Sequence, residues 1–223
     1  MDHFYSPFGG TEGQIYNLIK KMDRSAFYPE LCLFRRNSDY FETNTFPCKV
    51  HWLGIESFFN PLSYSKLFRL RTYIQSSQFD IVQTVFNDAA LSIPPITKGL
   101  DVKVVSTRRD MGFWYTPSKL FILRRLVGDI DFYLVNSQAV KTNVMRMEGV
   151  PGEKVKVIYN GHDLERFMQN PQEDFYERLS IPHGAAIIGI VANFRPVKRI
   201  TDLMIAFKTV LERFPECYLV FVG

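Results

Sequence analysis

The sequence predicts an α/β protein: a mostly parallel sheet with helices on both faces, followed by the first strand, helix and strand of a second unit of the same kind. Three observations carry this. Short runs rich in Val, Ile, Leu and aromatic residues alternate with stretches whose apolar positions recur at helical spacing. The joints between them hold turn and cap residues, among them Asn60-Pro61, Ser137, Gly149 and Asn160-Gly161. The rhythm breaks once, over residues 163–183, a polar stretch with Pro171 and Pro182, and then resumes.

Residues 1–8 are short and polar for a central strand and read as the tail of one. Gly9-Gly10-Thr11-Glu12-Gly13-Gln14 follows, with Thr11 and Gln14 spaced as a capping box. Ile15, Leu18, Ile19 and Met22 then give a helix its buried face. Residues 30–34 and 49–53 read as strands. Pro61 opens a helix carrying Leu62, Leu67, Leu70 and Ile74, with Lys66, Arg69 and Arg71 interleaved and Phe58, Phe59 and Tyr64 beside it. Residues 80–85, 102–107 and 131–135 are strands, separated by helices over 88–97 and 117–128. Asn136 or Ser137 caps the next helix, which bears Val140, Val144 and Met147 and ends at Gly149. Residues 155–159 form a strand. Beyond the polar break, 185–191 read as a buried strand, Leu203, Phe207, Val210, Leu211 and Phe214 line a helix, and 217–222 form a last strand. The expected division is a first domain over 1–165, a linker over 166–183 and the start of a second domain over 184–223.

The composition, 46% hydrophobic and 22% charged, is that of an ordinary globular domain. A net charge of +4 is too small to argue for nucleic acid, yet it permits attraction to an anionic membrane surface. Cys32, Cys48 and Cys217 are odd in number and far apart, which argues against a disulfide framework or a Cys-x-x-Cys metal site and fits a reducing, cytoplasmic compartment. The four histidines show no metal-ligand spacing. No apolar run approaches the ~20 residues that span a bilayer, and with Asp2 and His3 directly after Met1 no signal peptide is expected.

Four stretches are candidates for chemistry. Arg195 and Lys198 fall on the loop between a strand and a helix, where backbone N–H groups and the helix dipole favour an anion such as a diphosphate; the plain alternative is a solvated basic turn. Ligands of open α/β sheets bind at the carboxyl ends of the strands, which supports the functional reading. Gly9 and Gly10 allow close backbone approach at a helix N-terminus, or simply make a tight turn. Arg108-Arg109-Asp110 stands at a strand end, where charged residues are poor packing material; the alternative is a solvated loop. The basic-aromatic stretch 58–74 reads either as a membrane-surface contact or as a surface helix with snorkelling cations.

In order along the chain, Gly9-Gly10-Thr11-Glu12, Leu134-Val135-Asn136-Ser137, Val155 through Asp163 with Phe167, Ile190 through Lys198, and Leu203 through Gly223 together resemble a family-four retaining glycosyltransferase. That resemblance covers nearly the whole chain. It implies the GT-B fold, with Rossmann-like domains: an N-terminal, acceptor-side domain followed by the start of a donor-binding domain. It implies transfer of a sugar from a nucleotide-sugar donor to a lipid-linked or glycan acceptor with retention, in polysaccharide biosynthesis. It assigns the donor phosphates to Gly9, Gly10, Thr11, Arg195 and Lys198, with Arg195 and Lys198 as the catalytic cations that stabilise the leaving diphosphate. Acceptor-side candidates are Glu12, Arg108, Arg109 and Asp110. Nucleotide-sugar is the substrate, and neither a metal nor another cofactor is expected.

The sequence departs from the family pattern in places. Asn193 stands where the family often has Arg, and Arg108-Arg109-Asp110 where it often has His. The family's Glu–seven residues–Glu region, which holds the donor sugar and ribose, would lie beyond Gly223, so the expectation is a fragment that does not turn over alone. Two other readings compete: a non-catalytic relative acting as a binding or partner subunit, and a nucleotide-sugar epimerase. A nicotinamide dehydrogenase does not fit, because no Gly-x-Gly-x-x-Gly opens a helix. The expected location is cytoplasmic, with a peripheral contact on the inner face of the membrane through 58–74.

Overall fold

The computed structural model describes every residue except 37, 59, 163, 165–167 and 169–173. Phe59, Asp163, Phe167 and much of the expected linker therefore lie outside the described residues. The chain divides into two compact units, Met1–His162 and Asp163–Gly223.

In the first unit, short apolar segments form parallel strands because the segments between them are long enough to return the chain as helices. β1 (Glu30–Leu33) pairs with β2 (Lys49–Trp52), Glu30 facing Lys49 and Leu33 facing Trp52. A second sheet runs β3 (Ile81–Thr84), β4 (Lys103–Arg108), β5 (Phe132–Val135) and β6 (Val155–Val157), parallel throughout. Its register sets Thr84 against Ser106, Arg108 against Val135 and Val135 against Val157, so the carboxyl ends of these strands align. The helices of this unit are α1 (Gly10–Lys21), a single turn α2 (Tyr40–Thr43), α3 (Pro61–Ser76), α4 (Asn87–Thr97), α5 (Pro117–Leu126) and α6 (Gln138–Glu148).

Three apolar clusters hold the unit. Tyr133, Val135, Val144 and Val155 centre one between β5, β6 and α6. Phe4, Ile15, Ile19 and Leu33 centre a second around α1 and β1. Phe34, Ile55, Leu67, Ala89 and Ile93 centre a third around α3 and α4. α3 buries Ser63, Leu67, Leu70 and Ile74, spaced as one helical stripe. Leu62, expected on that stripe, is 66% exposed, because it sits one residue, about 100° of rotation, away from it. Leu18, also expected inside, is half exposed and lies at a cavity of about 760 Å³ between the β1 and β3 edges, which α1, α3 and α4 enclose.

The amino-terminal segment forms no strand among the described residues, yet it runs beside the end of β1. The Met1 amine donates to the Cys32 carbonyl at 2.8 Å, and the Met1 and Asp2 carbonyls accept from the Phe34 and Arg35 N–H groups. Asp2 is buried, and its carboxylate accepts from the Asp88 and Ala89 N–H groups at 2.9 and 2.8 Å, capping α4 from a distant part of the chain. Burial pushes the Asp2 carboxyl up from its ordinary range, and these two backbone bonds oppose that shift. The neighbouring Arg35 pairs with Asp88 at 2.5 Å.

The second unit holds a one-turn helix α7 (Phe175–Arg178), the parallel pair β7 (Ile187–Val191) and β8 (Tyr218–Val222), and α8 (Ile200–Leu211). Ile181 is the one buried hydrophobic side chain among its described residues. No helix among the described residues is long and apolar enough to cross a membrane.

Replacing Asp2 by Ala should lower the stability of the first unit by about 1–2 kcal/mol, the usual worth of a helix cap. Thermal or urea unfolding measures this, and Asp2→Asn should recover part of the loss.

Candidate active site

Alternation along β4 sends its last residue and the one after it to different fates. Arg108 turns into the core. Its Nε donates to Glu148 Oε1 at 2.7 Å and its Nη2 to Oε2 at 2.8 Å, a two-pronged pair in which both side chains are almost wholly buried. Nη1 adds a bond to Ser106 Oγ at 2.7 Å, and the guanidinium lies over the rings of Trp114 and Tyr133. Burial works against the Arg108 charge, but the facing Glu148 carboxylate more than offsets it, and the pKa rises. The Tyr115 hydroxyl also donates to Glu148. Burial first, and the Glu148 charge second, push the Tyr115 and Tyr133 hydroxyls up. The sequence places Arg108 among acceptor-side candidates; in the structure it is a packing element that ties β4 to the end of α6.

Arg109 stays at the strand-end surface. Its Nη1 donates to Asn160 Oδ1 at 2.6 Å, and its carbonyl accepts from Asn136 Nδ2 at 3.2 Å. Asp110 is exposed and accepts the Gly112 N–H at 2.6 Å, closing its own turn. Arg109, Asn136 and Asn160 thus follow the ends of the adjacent strands β4, β5 and β6, the position where open α/β sheets hold ligands.

The capping box expected at α1 does not form. Gly9 is the N-cap, with no side-chain cap bond. The Gln14 amide instead reaches Gly161, donating to its carbonyl at 2.7 Å and accepting its N–H at 3.0 Å. This joins the start of α1 to the turn after β6. Glu12 is committed nearby, accepting the Tyr5 N–H through Oε1 at 2.6 Å. Gly10 has open space where a side chain would go, whereas a Cβ on Gly13 would stand 2.5 Å from the Pro7 carbonyl oxygen. The sterically demanding glycine of this stretch is therefore Gly13, in the first turn of α1, which lets the preceding chain lie against the helix.

In the second unit, β7 ends at Val191 and α8 begins at Ile200. Between them Pro196–Lys198 form one 3-10 turn, with Arg195 as its N-cap. Arg195 and Lys198 are both exposed, and neither has a carboxylate partner among the described residues. Arg199, by contrast, pairs with Asp202 and adopts a left-handed conformation at the entry to α8. Two uncommitted cations therefore precede a long helix at the carboxyl end of a strand. Among the described residues no group of three or more His, Cys, Asp or Glu side chains could hold a metal ion.

Three participants escape sequence reasoning: Glu148, Asn160 and the Gln14 bridge. Each acts on a residue far away along the chain, and no local spacing signals such a pairing.

Residues 8–166 match the model of Glycosyltransferase Family 4. A putative glycosyltransferase of Bacillus subtilis (strain 168), EpsF, is 25% identical over 231 residues, covering 96% of this chain and 59% of that protein. Lipopolysaccharide 1,2-N-acetylglucosaminetransferase of Salmonella typhimurium (strain LT2) is 24% identical over 226 residues, covering 96% of this chain and 55% of that protein. The chain thus spans somewhat over half the length of these curated relatives. Among solved structures, Anabaena Alr3699/HepE in complex with UDP and glucose matches with a TM-score of 0.74 and 18% identity, over 100% of this chain and 59% of that one. This is a likeness of fold.

Replacing Glu148 by Ala leaves the Arg108 charge buried without its partner and should cost about 3–5 kcal/mol. Arg109→Gln, which touches no buried ion pair, should change stability by less than about 1 kcal/mol. Urea unfolding of the two variants compares them directly.

Proposed function

We propose, because this chain belongs to glycosyltransferase family 4, that it is the acceptor-side domain and the start of the donor-side domain of an enzyme that transfers a sugar from a nucleotide-sugar donor to a lipid-linked or polysaccharide acceptor with retention. The observation that carries this reading is the pair Arg195 and Lys198, free of carboxylate partners among the described residues and placed ahead of α8. When the bond between the sugar and the diphosphate breaks, the nucleotide departs with extra negative charge. Fixed cations and helix N–H groups favour that charge more in the transition state than in the bound donor, and that difference is what accelerates the step. In this reading the Gly9-Gly10 turn gives backbone access to the donor phosphates, and charge stabilisation rests on the chain's own cations without a metal. The complex of Alr3699/HepE contains UDP and glucose, which supports a uridine nucleotide as the first donor class to test.

A membrane-borne acceptor is supported by α3, whose outer side exposes Tyr64 and Phe68 together with Leu62 and Arg69. In this reading the protein sits peripherally on the cytoplasmic face of a membrane, a contact that this surface supports, and the free cysteines agree with a reducing compartment.

In the whole protein, Arg195→Ala and Lys198→Ala should each weaken UDP affinity or turnover by about 1.5–3 kcal/mol, as for a charge-assisted contact. Calorimetric titration with UDP checks this, and unchanged affinity in both variants would remove the assignment. Phe68→Ser should reduce sedimentation with vesicles containing anionic lipid; equal binding by this variant would move the membrane contact elsewhere.

A further inference from the structure

β4 ends at Arg108 and Arg109 follows it; among the described residues only the first has a counter-charge. Arg108 is neutralised by Glu148. Arg109 is partly withdrawn from water, yet no carboxylate among the described residues lies within ion-pairing distance of it. Among the described residues its Nε is buried without an acceptor, and Oδ1 of Asn136, whose amide nitrogen holds the Arg109 carbonyl, is buried without a donor. Among the described residues its one side-chain bond goes to the neutral Asn160. Burial alone pulls the Arg109 pKa down, with nothing opposing it. A half-buried cation in this state is costly unless an anion completes it. Asn160 and Gly161 beside it are exposed, so the guanidinium can be reached from that side. Its planar donors match an oxyanion that presents paired oxygens, a carboxylate or a phosphoryl group.

We propose that Arg109, framed by Asn136 and Asn160, docks a negatively charged group of the acceptor, so that the acceptor is an acidic glycan or a phosphorylated sugar rather than a neutral one. The assignment to the acceptor rests on the transferase reading above, in which the donor diphosphate already has its own cations, Arg195 and Lys198, in the other unit. The shared chemistry is a sugar-borne oxyanion; whether it is a carboxylate or a phosphate is left to the arms of the test.

The test is NMR titration of this chain with glucose, glucuronate and glucose 6-phosphate, with UDP as the control for the donor site. At least one acidic sugar should bind about tenfold more tightly than glucose, and the better of the two names the group. Arg109→Gln should erase that preference to within about twofold while leaving UDP affinity unchanged, and Arg109→Lys, which keeps the charge, should retain part of it. An acidic-sugar preference that survives Arg109→Gln, or no preference in the parent chain, overturns the proposal. A parallel loss of UDP binding also overturns it, by moving Arg109 to the donor phosphates while leaving the transferase reading intact. If the whole protein transfers sugar from no nucleotide donor although the Arg109-dependent preference persists, the anion site stands and its assignment to an acceptor falls with the transferase reading.

Discussion

The bidentate contact between Arg108 and Glu148 constrains everything around the strand ends of the first unit. A guanidinium taken out of water is tolerable only when a carboxylate meets it squarely and the remaining donors are satisfied. Here Glu148 supplies the charge, Ser106 and the Thr107 carbonyl take the third nitrogen, and two aromatic rings cover the plane. The pair fixes the end of β4 against the last turn of α6. With Arg108 anchored, backbone alternation leaves Arg109 no choice but the other side, where Asn136 and Asn160 receive it. The buried pair thus serves as a positioning device for the surface arginine next to it.

A second bridge completes the frame. Gln14 clasps Gly161 through both its donor and its acceptor, which ties the first turn of α1 to the turn after β6. Gly13 lets the segment before α1 lie against the helix, because a Cβ there would collide with the Pro7 carbonyl. In the second unit the same logic operates with less material: β7 delivers Arg195 and Lys198 to its carboxyl end, and the left-handed Arg199 turns the chain into α8. In both units cationic groups stand at strand ends and lack carboxylate partners among the described residues, which is what an anionic substrate requires of its host.

Much of the fold was legible because its signals are local. The stripe of Leu67, Leu70 and Ile74, the Asn60-Pro61 entry to α3 and the Ser137 and Gly149 ends of α6 each depend on residues a turn or two apart, and each is found where periodicity and capping put it. The failures are equally instructive. Thr11 and Gln14 have capping-box spacing, but a distant glycine offers the Gln14 amide two bonds at once. Arg108 reads as a surface charge because Glu148, forty residues on, is invisible to local reasoning. Asp2 looks like an unremarkable start of a chain, yet it caps a helix that begins eighty-odd residues later. The candidate site was thus legible in its position and charge, but not in which of two adjacent arginines stays available.

The proposed function holds anionic substrate groups at the carboxyl ends of these parallel strands. Backbone amide NMR of the chain during titration with UDP tests it most directly. The proposed function requires the largest shifts to fall at residues 195–200, with α3 and the cavity beside β1 unmoved. Saturating shifts confined to α3 or to the cavity walls, with the strand-end residues silent, would contradict it.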